Sequence, residues 1–261
     1  MYHSITFDNK NTWDDWCIIP ENDVIIAPPA QKTNYIDIPG GNGSLDMSES
    51  LTGYPLYENR TGSITFIVVN SSASLIPNCN PIKWRNLVTN IMSYLHGKRR
   101  RMILEDDPTY YYEGRFNVES VESGEDFSRL TIGYNLDPYK LTVESTVGEW
   151  IWDTFNFQTG IITTRMFSRI DVTTDWKSIT IHDKVVGDAP VVPSITAAST
   201  NGEGIIFRFV NPTLHIDETK QIPNGTFEFP DFVIYGDPVS FYYRVTSGTG
   251  TLRIEYRQGA L

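Results

Sequence analysis

The chain has 261 residues, long enough for one large domain or two ordinary ones. Apolar residues make up 40% and charged residues 20%, with 19 glycines and 15 prolines, a balance that fits a soluble globular protein built mainly of strands. A formal net charge of −11 argues against a nucleic-acid groove, which needs a basic footprint, and no apolar run approaches the length of a membrane span.

In chain order, Ser4 to Phe7 reads as a short strand and Asp8-Asn9-Lys10-Asn11 as a turn. Trp13 and Trp16 bracket Asp14-Asp15 and are expected to pack on a core edge. Cys17 and Cys79 are too few for a disulfide scaffold and are expected as free, buried thiols. Val24-Ile25-Ile26 reads as a strand ended by Pro28-Pro29. Tyr35 and Asp37 then alternate with Ile36 and Ile38 until Pro39-Gly40-Gly41-Asn42-Gly43 forces a tight reversal. Asp46, Glu49 and Arg60 follow, and a strand from Ser63 to Val69 closes the unit. This stretch reads as a sheet edge with a structured loop, in which Arg60 is expected to pair with Asp46 or Glu49.

One helix is predicted, from Pro81 to His96. Trp84, Leu87, Val88, Ile91, Met92 and Leu95 fall on one helical face, Asn80 suits the N-cap and Gly97 the stop. The basic run Lys98-Arg99-Arg100-Arg101 is expected to face a protein partner; the plain alternative is a solvated turn that favours the helix C-terminal dipole. Glu105-Asp106-Asp107 lacks the spaced acids of a calcium loop and reads as a hairpin turn. Strands are expected at Tyr110 to Glu113, Arg115 to Val121 and Leu130 to Leu136.

The chain changes character after Asp137-Pro138, with the domain boundary expected between Thr142 and Gly148. The second part shows no helical period. Strands are expected at Ile161 to Phe167, Ser178 to His182, Ser194 to Ala197, Ile205 to Val210, Thr226 to Phe229, Val239 to Val245 and Thr251 to Arg257. The whole chain is therefore expected to be all-β with one helix. Its domains are residues 1–143 and 144–261, the latter a β-sandwich or jelly roll.

Nothing in the chain suggests catalysis. His3, His96, His182 and His215 stand at no metal-ligand spacing, and G-x-S-x-G, H-E-x-x-H and phosphate-loop patterns are absent. No enzyme activity, catalytic residue, cofactor or metal is expected. Trp150, Trp152 and Trp176 are the candidates for a sugar contact, and packing would account for them equally well.

The pattern D-I-P-G-x-x-G-S-L-D-x-x-E-x-L-T-G, from Asp37 through Gly53, continues into Tyr57, Arg60 and a strand. It resembles the N-terminal domain of the siphophage distal tail protein (Dit) family, although Tyr54 stands where a basic residue is expected. Three further pieces agree in order: Ser4 to Asp8, Leu95-His96-Gly97 through Tyr112, and Tyr134 to Lys140. The resemblance covers the first 140 residues or so. It implies an N-terminal domain that looks like the unit of tail-tube proteins and closes into a ring of six. It also implies a C-terminal galectin-like or carbohydrate-binding-module-like sandwich, for which Gly187 to Ile195 supplies a weak local match. The implied place is the distal end of the tail in the virion. The ring would join the tail tube to the tip hub and the receptor-binding or baseplate proteins, and DNA would pass its channel without tight binding. Asp46, Glu49, Glu58, Arg60, Lys98, Arg99, Arg100 and Arg101 are the candidate interface residues. A carbohydrate-binding module that adheres to the host surface is the alternative reading.

Overall fold

The structure, a computed structural model, describes residues 3–69, 84–124, 127–147, 167–182 and 187–261. The chain divides into two compact units, Met1–Ser44 with Leu56–Lys140 and Leu45–Pro55 with Leu141–Ala260.

The first part contributes β1 (Ile5–Phe7), β2 (Lys10–Asn11), β3 (Ile19–Pro20), β4 (Tyr35–Asp37), β5 (Ser44–Asp46) and β6 (Arg60–Val69). The helix α1 (Trp84–Leu95), then β7 (Lys98–Leu104), β8 (Tyr110–Ser123) and β9 (Phe127–Leu136), follow. Strands β2-β1-β7-β8-β9-β6-β3 form one path in which each neighbouring pair is antiparallel. Alternation along β9 buries Leu130, Ile132, Tyr134 and Leu136, so the expected half-buried strand is present. Leu87, Ile91 and Leu95 of the helix bury against Phe7, Phe66, Phe116 and Leu130.

Met92, expected on that helix face, is exposed, and Tyr94 packs in its stead. At 3.6 residues per turn, position 92 lies about 100° from Ile91 while position 94 lies only about 60° away on the other side. The Tyr94 ring meets Trp16 edge-on at 5.7 Å, and its hydroxyl donates to the Phe7 carbonyl at 3.0 Å. Trp16 is a core residue, as expected. The N-cap positions Asn80 and Pro81 lie outside the described residues.

Several expectations need correction. Gly97 takes φ 72°, so the chain reverses directly from helix into β7, and Lys98 to Arg101 is strand and not turn. Val24 to Ile26 forms no strand; the β6 edge is taken by β3, Ile19–Pro20. Val24 and Ile26 still pack against the core. Cys17 is disulfide-bonded and only half-buried, not a free buried thiol. The other cysteine, Cys79, lies outside the described residues. The two strands expected across 110–121 are one strand, β8, with an irregularity between Val118 and Ser120.

The second part contributes β10 (Lys140–Thr142), β11 (Ile170–Val172), β12 (Lys177–Ile181), β13 (Ser194–Ser199), β14 (Ile205–Asn211) and β15 (Ile216–Ile222). It ends with β16 (Gly225–Glu228), β17 (Val239–Arg244), β18 (Gly250–Glu255) and β19 (Gly259–Ala260). Two antiparallel four-stranded sheets, β11-β18-β13-β16 and β12-β17-β14-β15, share one core; β19 pairs with β10. Ile195, Ala197, Leu252 and Ile254 come from one sheet and Phe207, Phe209, Phe241 and Tyr243 from the other. This is a β-sandwich. Each buried phenylalanine contributes about 2–3 kcal/mol relative to exposure. The expected strand from Ile161 lies outside the described residues except for Phe167, which is buried in this core. Strands β11 and β15 were not foreseen. The fold is all-β with one helix, and no described helix is long and apolar enough to cross a membrane.

Candidate functional site

Three features were singled out by the sequence: the glycine-hinged stretch, the basic run and the tryptophans. Strands β4 and β5 pair only with one another, as a two-stranded ribbon. Positive φ at Gly40 (77°) and Gly43 (80°) makes the reversal, and the Gly41 amide donates to the Ile38 carbonyl at 3.0 Å. The ribbon is therefore not an edge of the larger sheet, as had been expected. Every residue of both strands is exposed, including Tyr35, Ile36 and Leu45, and Ile38 is exposed in the turn. Leu51, a little further on, is 98% exposed. A two-stranded ribbon is marginally stable in water by itself, and these aliphatic side chains have no core to enter.

The candidate acids fall apart. Asp46 and Glu49 belong to the segment Leu45–Pro55, which groups with the second unit. Within that unit, Tyr54 lies 5.1 Å from Tyr235, ring to ring. Asp46 accepts from the hydroxyl of Ser48 and from its amide at 2.9 Å, and these two bonds hold its carboxyl below the usual value. The Glu49 carbonyl accepts from Gly53 at 2.8 Å, where φ of 74° closes the turn, and its side chain is exposed. Glu58 lies 3.9 Å from Lys32.

Arg60 does not pair with any of these acids. It is 4% exposed, its Nε donates to the Pro138 carbonyl at 2.8 Å and its Nη1 to the Ala27 carbonyl at 3.0 Å. The guanidinium stacks 5.6 Å from the Tyr112 ring, and Nη2 is buried with no hydrogen-bond partner. Burial draws its pKa down from the ordinary arginine value, against the pull of Tyr112 and Tyr134. Arg60 is an internal clamp on two backbone segments, and alternation at the start of β6 points it inward.

Strand β7 splits the basic run between two faces. Lys98 and Arg100 turn toward the helix: Lys98 Nζ donates to the Ser93 carbonyl at 2.6 Å and Arg100 Nε to the Tyr94 carbonyl at 3.3 Å. Two cations therefore sit on the last carbonyls of α1. Arg100 also pairs with Asp8 at 2.9 Å and stacks 4.4 Å from the Tyr94 ring. On the other face Arg99 binds Glu113 at 3.0 Å and also Asp137, while Arg101 reaches Glu113 at 3.7 Å and the Tyr111 ring at 4.8 Å. All three arginines thus have a carboxylate partner within the chain.

Trp150 and Trp152 lie outside the described residues. Trp176 is 47% exposed, and Arg244 stacks 4.9 Å from its ring. Tyr242 and Arg208 form a second such stack at 5.5 Å. Neither arginine was singled out from the sequence, although the alternation of Phe241, Tyr243 and Val245 with Tyr242 and Arg244 already placed the latter two on the outer face. Among the described residues no group of three or more His, Cys, Asp or Glu side chains could hold a metal ion.

No family model matches the chain, and no curated protein sequence matches it. Among solved structures it is similar to SPP1 Dit (gp 19.1), described as a paradigm of the hub adsorption apparatus in phages that infect Gram-positive bacteria. The match has a TM-score of 0.57 at 12% identity and covers 98% of this chain and 99% of that one. The two chains share a fold along their whole length.

Proposed function

We propose that the chain is a structural protein of a phage tail, a distal tail protein placed at the far end of the tail in the virion. The observation that carries this reading is the full-length likeness of fold to SPP1 Dit. A fold by itself does not assign a function. Here, though, the order of four sequence patterns points the same way, and no catalytic constellation competes with it. Its role is assembly and not catalysis.

In this reading the first domain, residues 1–143, closes into a ring of six, and residues 144–261 form the second domain. A closed ring needs a head-to-tail interface of two complementary patches on each subunit. The exposed β4–β5 ribbon supplies one apolar patch, and a neighbouring subunit would cover Ile36, Ile38 and Leu45. The exposed carboxylates of Asp46, Glu49 and Glu58 would set orientation around it. The arginines of β7, already paired internally, could exchange partners across the subunit boundary only by giving up Glu113, Asp137 and Asp8. The ring would stack on the tail tube on one side and on the tip hub on the other, where receptor-binding or baseplate proteins attach.

Light scattering of the purified protein, alone and beside its tail-tube partner, tests the assembly. The expected mass is that of six chains. A protein that stays a single chain at high concentration, with or without tail partners, removes the ring. A second role in carbohydrate binding is favoured by one observation, the outward aromatic rings of Trp176 and Tyr242 on the sandwich of the second part.

A further inference from the structure

The sheet β12-β17-β14-β15 turns one face to the core and leaves the other open. Alternation buries Val239, Phe241 and Tyr243 and sends Ser240, Tyr242 and Arg244 outward. The register sets Arg208 beside Tyr242 in one rung. Trp176, one residue before β12, follows the same register to a place opposite Arg244. Two guanidinium–aromatic stacks thus stand side by side. With strands about 4.8 Å apart and outward rungs about 6.8 Å apart, they form one continuous platform.

The two arginines differ in how they are compensated. Arg208 holds Asp217 with both arms, Nε to Oδ1 at 2.7 Å and Nη2 to Oδ2 at 2.6 Å. Arg244 has no carboxylate partner among the described residues, and its Nε is buried with no hydrogen-bond partner. The buried Nε is closed to an incoming anion, so the part of this guanidinium left for one is its outer fork, which no carboxylate occupies. Beside it the half-exposed indole of Trp176 offers a flat apolar surface, with the guanidinium stacked 4.9 Å from its ring. Hydroxyls complete the surface: Thr180 and Ser240 stand 2.9 Å apart on the same face.

Resting on the carbohydrate-binding reading above, the geometry points to a binding site for a sparsely charged anionic glycan. The indole and the Tyr242 ring take the C–H faces of sugar rings. Arg244 takes a carboxylate or phosphate through a bidentate fork, and the hydroxyl pair meets sugar hydroxyls. A neutral glycan would use the platform but leave Arg244 without its counter-charge. A polyanion such as single-stranded nucleic acid would stack as well. It would also bring one phosphate per nucleotide against Asp175 and Asp217, both exposed, on a chain of net charge −11. Spaced charges avoid that repulsion.

Calorimetry on the full chain decides the matter with four probes: partly esterified polygalacturonate, a phosphomannan, neutral dextran and oligo-dT. Binding is expected to at least one of the two acidic glycans, and which of them binds tells carboxylate from phosphate. Arg244→Gln and Trp176→Ala are each expected to weaken that binding by about tenfold or more, while Arg253→Gln on the other sheet leaves it unchanged. Melting temperatures of all three variants, unchanged within about 2 °C, exclude misfolding as the cause. No binding to either acidic glycan, equal binding of dextran or oligo-dT, or binding indifferent to Arg244→Gln overturns the site. A ring that binds no glycan defeats this proposal and leaves the assembly reading untouched.

Discussion

Two stretches of strand surface lie open to water, and they are built from opposite chemistry. The β4–β5 ribbon exposes Tyr35, Ile36 and Leu45 and has no second layer of its own. The outer face of β12-β17-β14-β15 belongs to a sandwich with a complete core and carries arginines stacked on aromatic rings. Exposed aliphatic side chains are unfavourable in water at any ligand concentration, so the ribbon needs a permanent cover. Guanidinium groups that are only partly buried can wait for a ligand that comes and goes. In the proposed reading, the difference separates a surface for assembly from one for recognition.

The largest effect expected from breaking that contrast is on assembly. Ile36→Asp combined with Leu45→Asp places two charges on the ribbon. The ring should fall to single chains in light scattering, with melting of the single chain altered by less than about 1 kcal/mol, as for other surface positions. Glycan affinity should be unchanged. A double variant that keeps the ring mass would show that the ribbon is not the subunit boundary.

Next in size is the contrast between two arginines that lack a carboxylate. Arg60 is closed off from water, and Arg244 is partly open. Arg60→Ala would strip the Ala27 and Pro138 carbonyls of their donor and leave a hole beside Tyr112, a loss of about 3 kcal/mol in chemical denaturation. Arg244→Ala should cost about 0.5 kcal/mol or less. Equal losses would mean that Arg244 is a structural clamp as well, and its claim to a ligand would weaken.

Most of the strands were legible because alternation survives wherever one face is buried. β14 and β17 follow it residue by residue, and β9 does so except at the buried Gly133. β15 was missed because Ile216 to Ile222 carries Asp, Glu, Thr, Lys and Gln between its end residues. Those side chains pair across the surface, as Arg208 does with Asp217 and Lys220 with Asp231 at 2.8 Å. A strand at a sheet edge can be held by such pairs and by its ladder with little apolar signal. The basic run misled for a different reason. Four consecutive cations look like a solvated turn, whereas β7 deals them to two faces and meets each arginine with an acid from a distant part of the chain. Arg60 was read as the partner of nearby acids because local sequence cannot reveal that two carbonyls, 33 and 78 residues away, close around it. The open aromatic face was half legible: strand alternation oriented Tyr242 and Arg244, and only the register brought Trp176 and Arg208 to them.

The smallest effect distinguishes the two surfaces through their acids. Asp46, at the end of the ribbon, and Asp217, on the sandwich face, are both held below the usual carboxylate value of 3.8, for different reasons. Asp46 is held by the hydroxyl and amide of Ser48, which are dipoles of its own loop; Asp217 is held by the Arg208 guanidinium. A depressed carboxyl adds stability above its unfolded-state pKa, and that stability is lost as pH falls through the lower folded value, so both contributions begin to fall at about pH 4 and are gone only below the folded values. Raising the salt to about 1 M shortens the screening length to about 3 Å, which weakens an exposed ion pair far more than a hydrogen bond to a neutral group. Carboxylate titration by NMR should therefore show Asp217 moving back toward 3.8 at high salt, with Asp46 unmoved. Arg208→Gln should release Asp217 alone, and Ser48→Ala, which removes the hydroxyl and keeps the amide, should release Asp46 alone and only in part. If Asp46 followed the salt as Asp217 does, a cation would already be bound to it within the chain. The ribbon acid would then not be free to meet a neighbouring subunit, and the charged part of the proposed boundary would have to lie elsewhere.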